Sequence, residues 1–275
     1  MSLLQKIRAR YHPLWRLRHF AGFRYLQLRL DFPIRRHHQG IPFYGLILRD
    51  FPTLLNPLAG DSLSCDLLDR LAAAHRLTHF FDLGANLGLF SWHVLHAAPA
   101  TRFFLFEPDP ANLRLLRRSL RANPAASVQL WAGAVAREFG RLEFLVDDAS
   151  GATGSLAHAR LAGGPLQTAY HAHRQISVAA THLDAYLDIA DAASSHVVMK
   201  IDVEGAEAEV LAGARRFLVK FRPLILIECF HVENLEPLTQ SGYITHRLDA
   251  FGNYLLVPRE ANDAIQQLLP ASAQK

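Results

Sequence analysis

From about residue 78 onward, short apolar runs alternate with segments of helical period, and four of the runs end in a carboxylate. His79-Phe80-Phe81-Asp82-Leu83 leads through Gly84-Ala85-Asn86-Leu87-Gly88 into a helical stretch over 90–97. Segment 102–106 is a second such run, stopped by Glu107-Pro108-Asp109-Pro110, where Asp109 is a good helix cap and Pro110 a good first helical residue. Leu113, Leu116 and Leu120 then share one helical face. Segments 128–132 and 141–146 follow as strands, then 196–201 ending at Asp202 and 223–227 ending at Glu228. Runs this apolar are too hydrophobic for one-sided exposure, which predicts a mostly parallel sheet covered by helices on both faces. The last two strands, 242–248 and 253–257, lie too close in sequence for a crossover and must be antiparallel.

Composition excludes several other classes. Half of the 275 residues are apolar and one fifth charged, which rules out disorder and low-complexity tails. Cys65 and Cys229 stand far apart, so neither a disulfide scaffold nor a cysteine-based zinc module is available. No run approaches the ~20 apolar residues of a membrane span. These features predict a protein of a reducing compartment, cytoplasmic in location, with no nucleic-acid partner.

The charge is unevenly placed. The first 49 residues hold ten Lys or Arg and a single acid, Asp31, whereas the remainder holds nineteen basic and twenty-four acidic side chains. Leu3, Leu4, Ile7 and Tyr11 recur at helical spacing before Pro13. Two readings fit this basic, aromatic arm: a peripheral contact with an anionic membrane, or a helical extension packed on the body with solvated arginines, which is favoured. Segment 147–175 carries four glycines and no clear period, and is expected to act as a lid; Ile176 and Val178 suggest a short extended piece, and a helix containing Leu183 and Leu187 should follow.

In an open parallel sheet, ligands gather at the carboxyl ends of the strands where strand order reverses. Asp82, Glu107, Asp202 and Glu228 converge there. Gly84 lets the chain turn tightly, and Gly88 allows close approach at the helix start. Glu107 can accept hydrogen bonds from both hydroxyls of a ribose. A nicotinamide site prefers Gly-x-Gly-x-x-Gly, but Asn86 stands at the middle position and an acid precedes the turn. Asp82 instead suits a ligand with an amino group and no diphosphate, namely S-adenosylmethionine.

Three motifs, Asp-Leu-Gly-Ala-Asn-Leu-Gly at 82–88, Phe-Glu-Pro-Asp-Pro at 106–110 and Lys-Ile-Asp-Val-Glu-Gly-Ala-Glu at 200–207, resemble the FkbM family of S-adenosylmethionine-dependent methyltransferases over about 78–258. The resemblance implies a Rossmann-like α/β fold with seven strands, the last reversed, and O-methylation of a hydroxyl on a sugar, glycan or secondary metabolite. It implies cofactor roles for Asp82, Gly84, Asn86, Gly88 and Glu107, with adenine near Gly133 and Ala134. Asp202, then Glu204, is the expected base for the acceptor hydroxyl, with Glu228 or His231 behind them. Asp202 could equally orient the cofactor. No metal is expected. The implied organisation is a basic extension over 1–60, a cofactor-binding domain over 61–258 and a tail over 259–275. Two other functions stay open on the residues alone: a nicotinamide-dependent oxidoreductase, and a non-catalytic module bound to membrane or glycan.

Overall fold

The computed structural model describes residues 27, 29–148, 151, 154–157, 173–189 and 195–269. The amphipathic stretch at 3–11 and most of the expected lid lie outside these residues.

After the helical residues 27, 29 and 30 comes a hairpin, β1 (Pro33–His38) and β2 (Ile41–Leu46), followed by helices α1 (Phe51–Leu55) and α2 (Ser62–Ala73). The alternating core then runs β3 (His79–Leu83), α3 (Leu89–Ala97), β4 (Arg102–Glu107), α4 (Pro110–Ala122) and β5 (Ser127–Ala132). Strands β6 (Ala134–Val135), β7 (Gly140–Asp147), β8 (Ser155–Leu156) and β9 (His173–Thr181) come next. The second half holds β10 (Val197–Ile201), α5 (Glu207–Ala212), α6 (Arg215–Phe221), β11 (Leu224–Glu228), α7 (Glu236–Gln240), β12 (Tyr243–Arg247), β13 (Asn253–Pro258) and α8 (Asn262–Gln266).

Seven strands form one sheet in the order β12-β13-β11-β10-β3-β4-β5. Pairing is parallel from β5 to β11, and β13 is antiparallel to both β11 and β12. The chain therefore steps outward from β3 in one direction through β4 and β5, then returns to β3's other side at β10. That reversal opens a crevice at the carboxyl ends of β3 and β10.

The apolar runs behave as their composition demands. Every residue of β3 and of β10 is buried. Phe80, Val198, Leu226 and Leu255 face a core shared with α2 and α3, while Phe81, Phe104, Met199 and Ile225 face a second core under α5 and α6. Asp109 caps α4 by accepting from the Ala111 amide at 2.7 Å, with Pro110 in the first turn.

Three features depart from expectation. Part of the N-terminal extension is the hairpin β1–β2, whose Phe43 is fully buried in the main core. A separate four-stranded sheet, β6-β9-β7-β8, occupies the region between β5 and β10, with β9 antiparallel to β7 along its length. The helix expected around Leu183 and Leu187 is a single 3₁₀ turn at Leu183–Tyr186. At the other end, Ile265 and Leu269 pack into the main core, so the chain after β13 is part of the body as far as the described residues run.

Candidate active site

The loops that leave β3, β4 and β10 are tied to one another by hydrogen bonds. The amides of Gly84 and Ala85 both donate to the Phe106 carbonyl at 3.0 Å, and the Asp202 amide donates to the Leu83 carbonyl at 3.0 Å. Gly84 has a φ of +78° and lies against the Asp202 carbonyl, so a Cβ there would collide with backbone. Its lack of a side chain is what lets the β3 and β10 loops touch.

Glu107 is 4% exposed, and each of its oxygens holds one backbone amide. Oε2 accepts from Asn86 and Oε1 from Asp109, both at 2.7 Å. One carboxylate thereby fixes the glycine-bearing turn after β3 and the start of α4. Burial pushes Glu107 up to about 8, outweighing the Asp109 and Asn86 amides and the Asn112 side chain, which favour the charged form.

Beside Glu107 opens a cleft of about 660 Å³, counting the space open to solvent. Gly84, Asn86, Glu107, Asp109 and Asn112 line it from the loops after β3 and β4 and the start of α4, and Asp202, Val203 and Glu204 from the loop after β10. Gly133, Ala134, Val135, Phe144 and Leu156 supply an apolar side built partly from the small sheet. Asn86 and Glu204 hold φ of +52° and +51°. Asn tolerates that left-handed conformation; for Glu it costs roughly 1 kcal/mol, and such strain concentrates at functional sites.

Asp202 is 35% exposed and ion-paired through Oδ2 to Lys200 Nζ at 3.2 Å. Lys200 is 3% exposed, with its ammonium 5.1 Å from the centroid of the Phe90 ring. The pairing of Lys200 opposite Asp82 in the sheet brings a third charge into this layer.

Of the expected site residues, Gly84, Asn86, Glu107, Asp202 and Glu204 meet at the cleft, as do Gly133 and Ala134. Asp82 and Gly88 stand behind it. Asp82 is 2% exposed and accepts from the Ser91 hydroxyl at 2.5 Å; burial pushes it up to about 6, against the pull of Ser91 and Lys200. Gly88, with φ +78°, starts α3 and is packed between Trp92 and Leu116. His231 pairs with Glu233 at 3.1 Å, and neither His231 nor Glu228 lines the cleft. The sequence reading gave no role to Asn112, which lines it; Gly151 and Gly154, which also line it, fell within the stretch expected as a lid but were not singled out. The two glycines sit in the stretch without period, where glycine was the only available signal. Asn112 carries no motif at all.

The sheet order, with its single reversed strand and a carboxylate-rimmed cleft at the switch point, is the Rossmann-like fold of class I methyltransferases. The chain matches the methyltransferase FkbM domain over residues 82–260 and belongs to that family. It is thus a methyltransferase dependent on S-adenosylmethionine, which decides against the nicotinamide alternative. The 2-O-methyltransferase NoeI of Sinorhizobium fredii is 29% identical to it over 149 residues, 51% of this chain. This chain spans 59% of that relative's length. Among solved structures, precorrin-6y C5,15-methyltransferase from Geobacter metallireducens aligns with 15% identity and a TM-score of 0.35, covering 69% of this chain and 82% of its own. Fibrillarin from Aeropyrum pernix, solved with S-adenosylmethionine, aligns with 16% identity and a TM-score of 0.39 over 83% and 82% of the two chains. Among the described residues, no helix is long and apolar enough to cross a membrane.

The donor set suits this cofactor. Glu107 is an acceptor-only group when ionised, with roughly four lone-pair sites, more than its two backbone donors occupy. The apolar side matches a purine face, and Asp202 with Glu204 offers negative charge to a cation.

Proposed function

We propose that this methyltransferase acts on oxygen, transferring the methyl group to a hydroxyl of a sugar, glycan or other small polyhydroxylated acceptor. The observation that carries this reading is that two carboxylates, Asp202 and Glu204, line the same cleft as Glu107. When bound, S-adenosylmethionine supplies an electrophilic methyl group on sulfur. Glu107 accepts hydrogen bonds from the ribose hydroxyls, and Asn86 holds the turn beneath them. The reaction is an in-line displacement, so most of its acceleration comes from holding the acceptor oxygen close and aligned. An alcohol is a weak nucleophile, and Asp202 takes its proton as the new bond forms. Lys200 orients that carboxylate through the ion pair on Oδ2. Asp82 acts from behind, steadying the start of α3 through Ser91. Oxygen as the target is also supported by the relative NoeI, a 2-O-methyltransferase by name.

The test uses purified full chain, labelled S-adenosylmethionine and a panel of glycosides and phenols. Asp202→Asn should lower kcat by about 10²-fold with little change in affinity for S-adenosylhomocysteine. Label recovered on nitrogen or carbon, or an Asp202→Asn variant as active as wild type, would overturn the reading.

A further inference from the structure

Arg49 lies in the turn between β2 and α1, well before the matched family domain begins, yet it is 4% exposed. Its loop is held by two acids. Asp31 accepts from the amides of Leu48 and Arg49 at 2.8 and 3.1 Å. Asp50 accepts from the Leu46 amide at 2.7 Å and takes the guanidinium in a two-point pair, at 2.9 Å from Nε and 3.2 Å from Nη2. Such a fork fixes the plane of the arginine.

What the fixed plane touches is the cleft wall. Nη2 donates to Asn112 Oδ1 at 2.7 Å, and the other end of that amide, Nδ2, donates to the Gly151 carbonyl at 3.0 Å. Gly151, φ +64°, is packed flat on the guanidinium: a Cβ there would sit 2.6 Å from Arg49 Cζ. Asn112 and Gly151 both line the cleft beside Glu107.

The chemistry of the three groups gives the contact a direction. A guanidinium can only donate, so it accepts no partner but the oxygen end of Asn112. The amino end must then face the Gly151 carbonyl, and it lies on the side that favours the charged form of Glu107. The two ends of an amide have the same shape, so packing alone cannot choose between them. Reversed, the amide would turn an oxygen toward a carbonyl and leave a buried donor facing a cation.

We propose that Arg49 is a positioning residue for the cofactor: acting through Asn112, it sets the polarity of the wall beside Glu107 and seats Gly151 against it. This rests on the reading of the cleft as the S-adenosylmethionine site. The extension that carries Arg49 is then a working part of that site.

The experiment measures the dissociation constant of S-adenosylhomocysteine by calorimetry, with a ligand-free thermal melt of each variant. Arg49→Met should weaken binding on the order of tenfold, and Arg49→Lys, which still donates but cannot fork, should recover part of the loss. Asn112→Asp is the discriminating variant. It keeps an acceptor for Arg49 but sets an oxygen against the Gly151 carbonyl, so it should remain folded in the ligand-free melt and bind weakly. The double variant Arg49→Met/Asn112→Ala should bind no worse than the weaker of Arg49→Met and Asn112→Ala, because the two residues act as one unit. Wild-type affinity in either single variant would overturn the proposal, as would additive losses. If Arg49→Met does not fold, Asn112→Asp alone decides. Failure of the wild-type chain to bind S-adenosylhomocysteine would instead overturn the cofactor reading itself.

Discussion

Glu107 illustrates how one side chain can serve the fold and the ligand with opposite demands. Its two backbone partners need acceptor oxygens, but its burial makes the charge costly, and the balance sits at about 8. Hydroxyl donors bind the ionised form, so ligand binding must draw the proton off at any pH below that value. Affinity for S-adenosylhomocysteine should therefore rise from pH 6 to 8, by no more than about tenfold per pH unit, and level off above. Glu107→Gln should bind weakly at every pH with no such slope, as calorimetry in buffers of different protonation enthalpy would reveal. Gly84 is governed by space instead of charge. Gly84→Ala would drive a Cβ into the Asp202 carbonyl from a conformation that disfavours any side chain, so the β3 and β10 loops must part. Loss of measurable cofactor binding together with a lower unfolding midpoint is the expected outcome.

Among the elements, legibility followed burial. Strands β3, β4, β10 and β11 are nearly or wholly buried, and their continuous apolar runs were readable within a residue or two. Helix α4 announced itself by its cap, its proline and its leucine spacing. The hairpin did not, because β1 reads Pro-Ile-Arg-Arg-His-His, with charges on both faces. Its two-residue turn, Gln39-Gly40, holds positive φ at both positions, but Gln-Gly is a weaker signal than Asn-Gly. The small sheet was hidden for another reason: β7 finds its partner in β9, more than twenty residues downstream, and local periodicity carries no record of such pairing. The cleft followed the same division. Its strand-end acids were visible as motifs, whereas Asn112 and Gly151 depend on contacts made from distant segments. The hairpin's attachment can be measured directly. Phe43 is fully buried, and the hairpin is further bonded to α4 through Tyr44 to Ser119 and Asn123 to Pro42. Phe43→Ala should cost about 3–5 kcal/mol in urea unfolding.

For the molecule as a whole, buried titratable groups set how stability varies with pH. His38 and His79 are lowered, chiefly by burial, so the stability they contribute is present above their ordinary value and declines as pH falls below about 6.5. Glu107 acts in the other sense. Its pKa is raised, so its contribution is complete below its ordinary value near 4.5 and is lost as pH climbs toward 8. Above 6.5 the histidine contribution levels off within about one pH unit, and the glutamate should dominate. The ligand-free melting temperature should thus fall from pH 6.5 to 8, and saturating S-adenosylhomocysteine should cancel that fall. A flat profile without ligand would contradict this account.

The arginine at 49 and the asparagine it grips at 112 lie on opposite sides of the point where the family match begins. Gene rearrangements that move the recognisable segment alone, as an exchangeable cassette, would leave half of this contact behind. Lineages that shuffle such enzymes should accordingly keep the leading hairpin and the segment after it together, and chimaeras cut near residue 82 should recover activity only when both halves descend from the same parent.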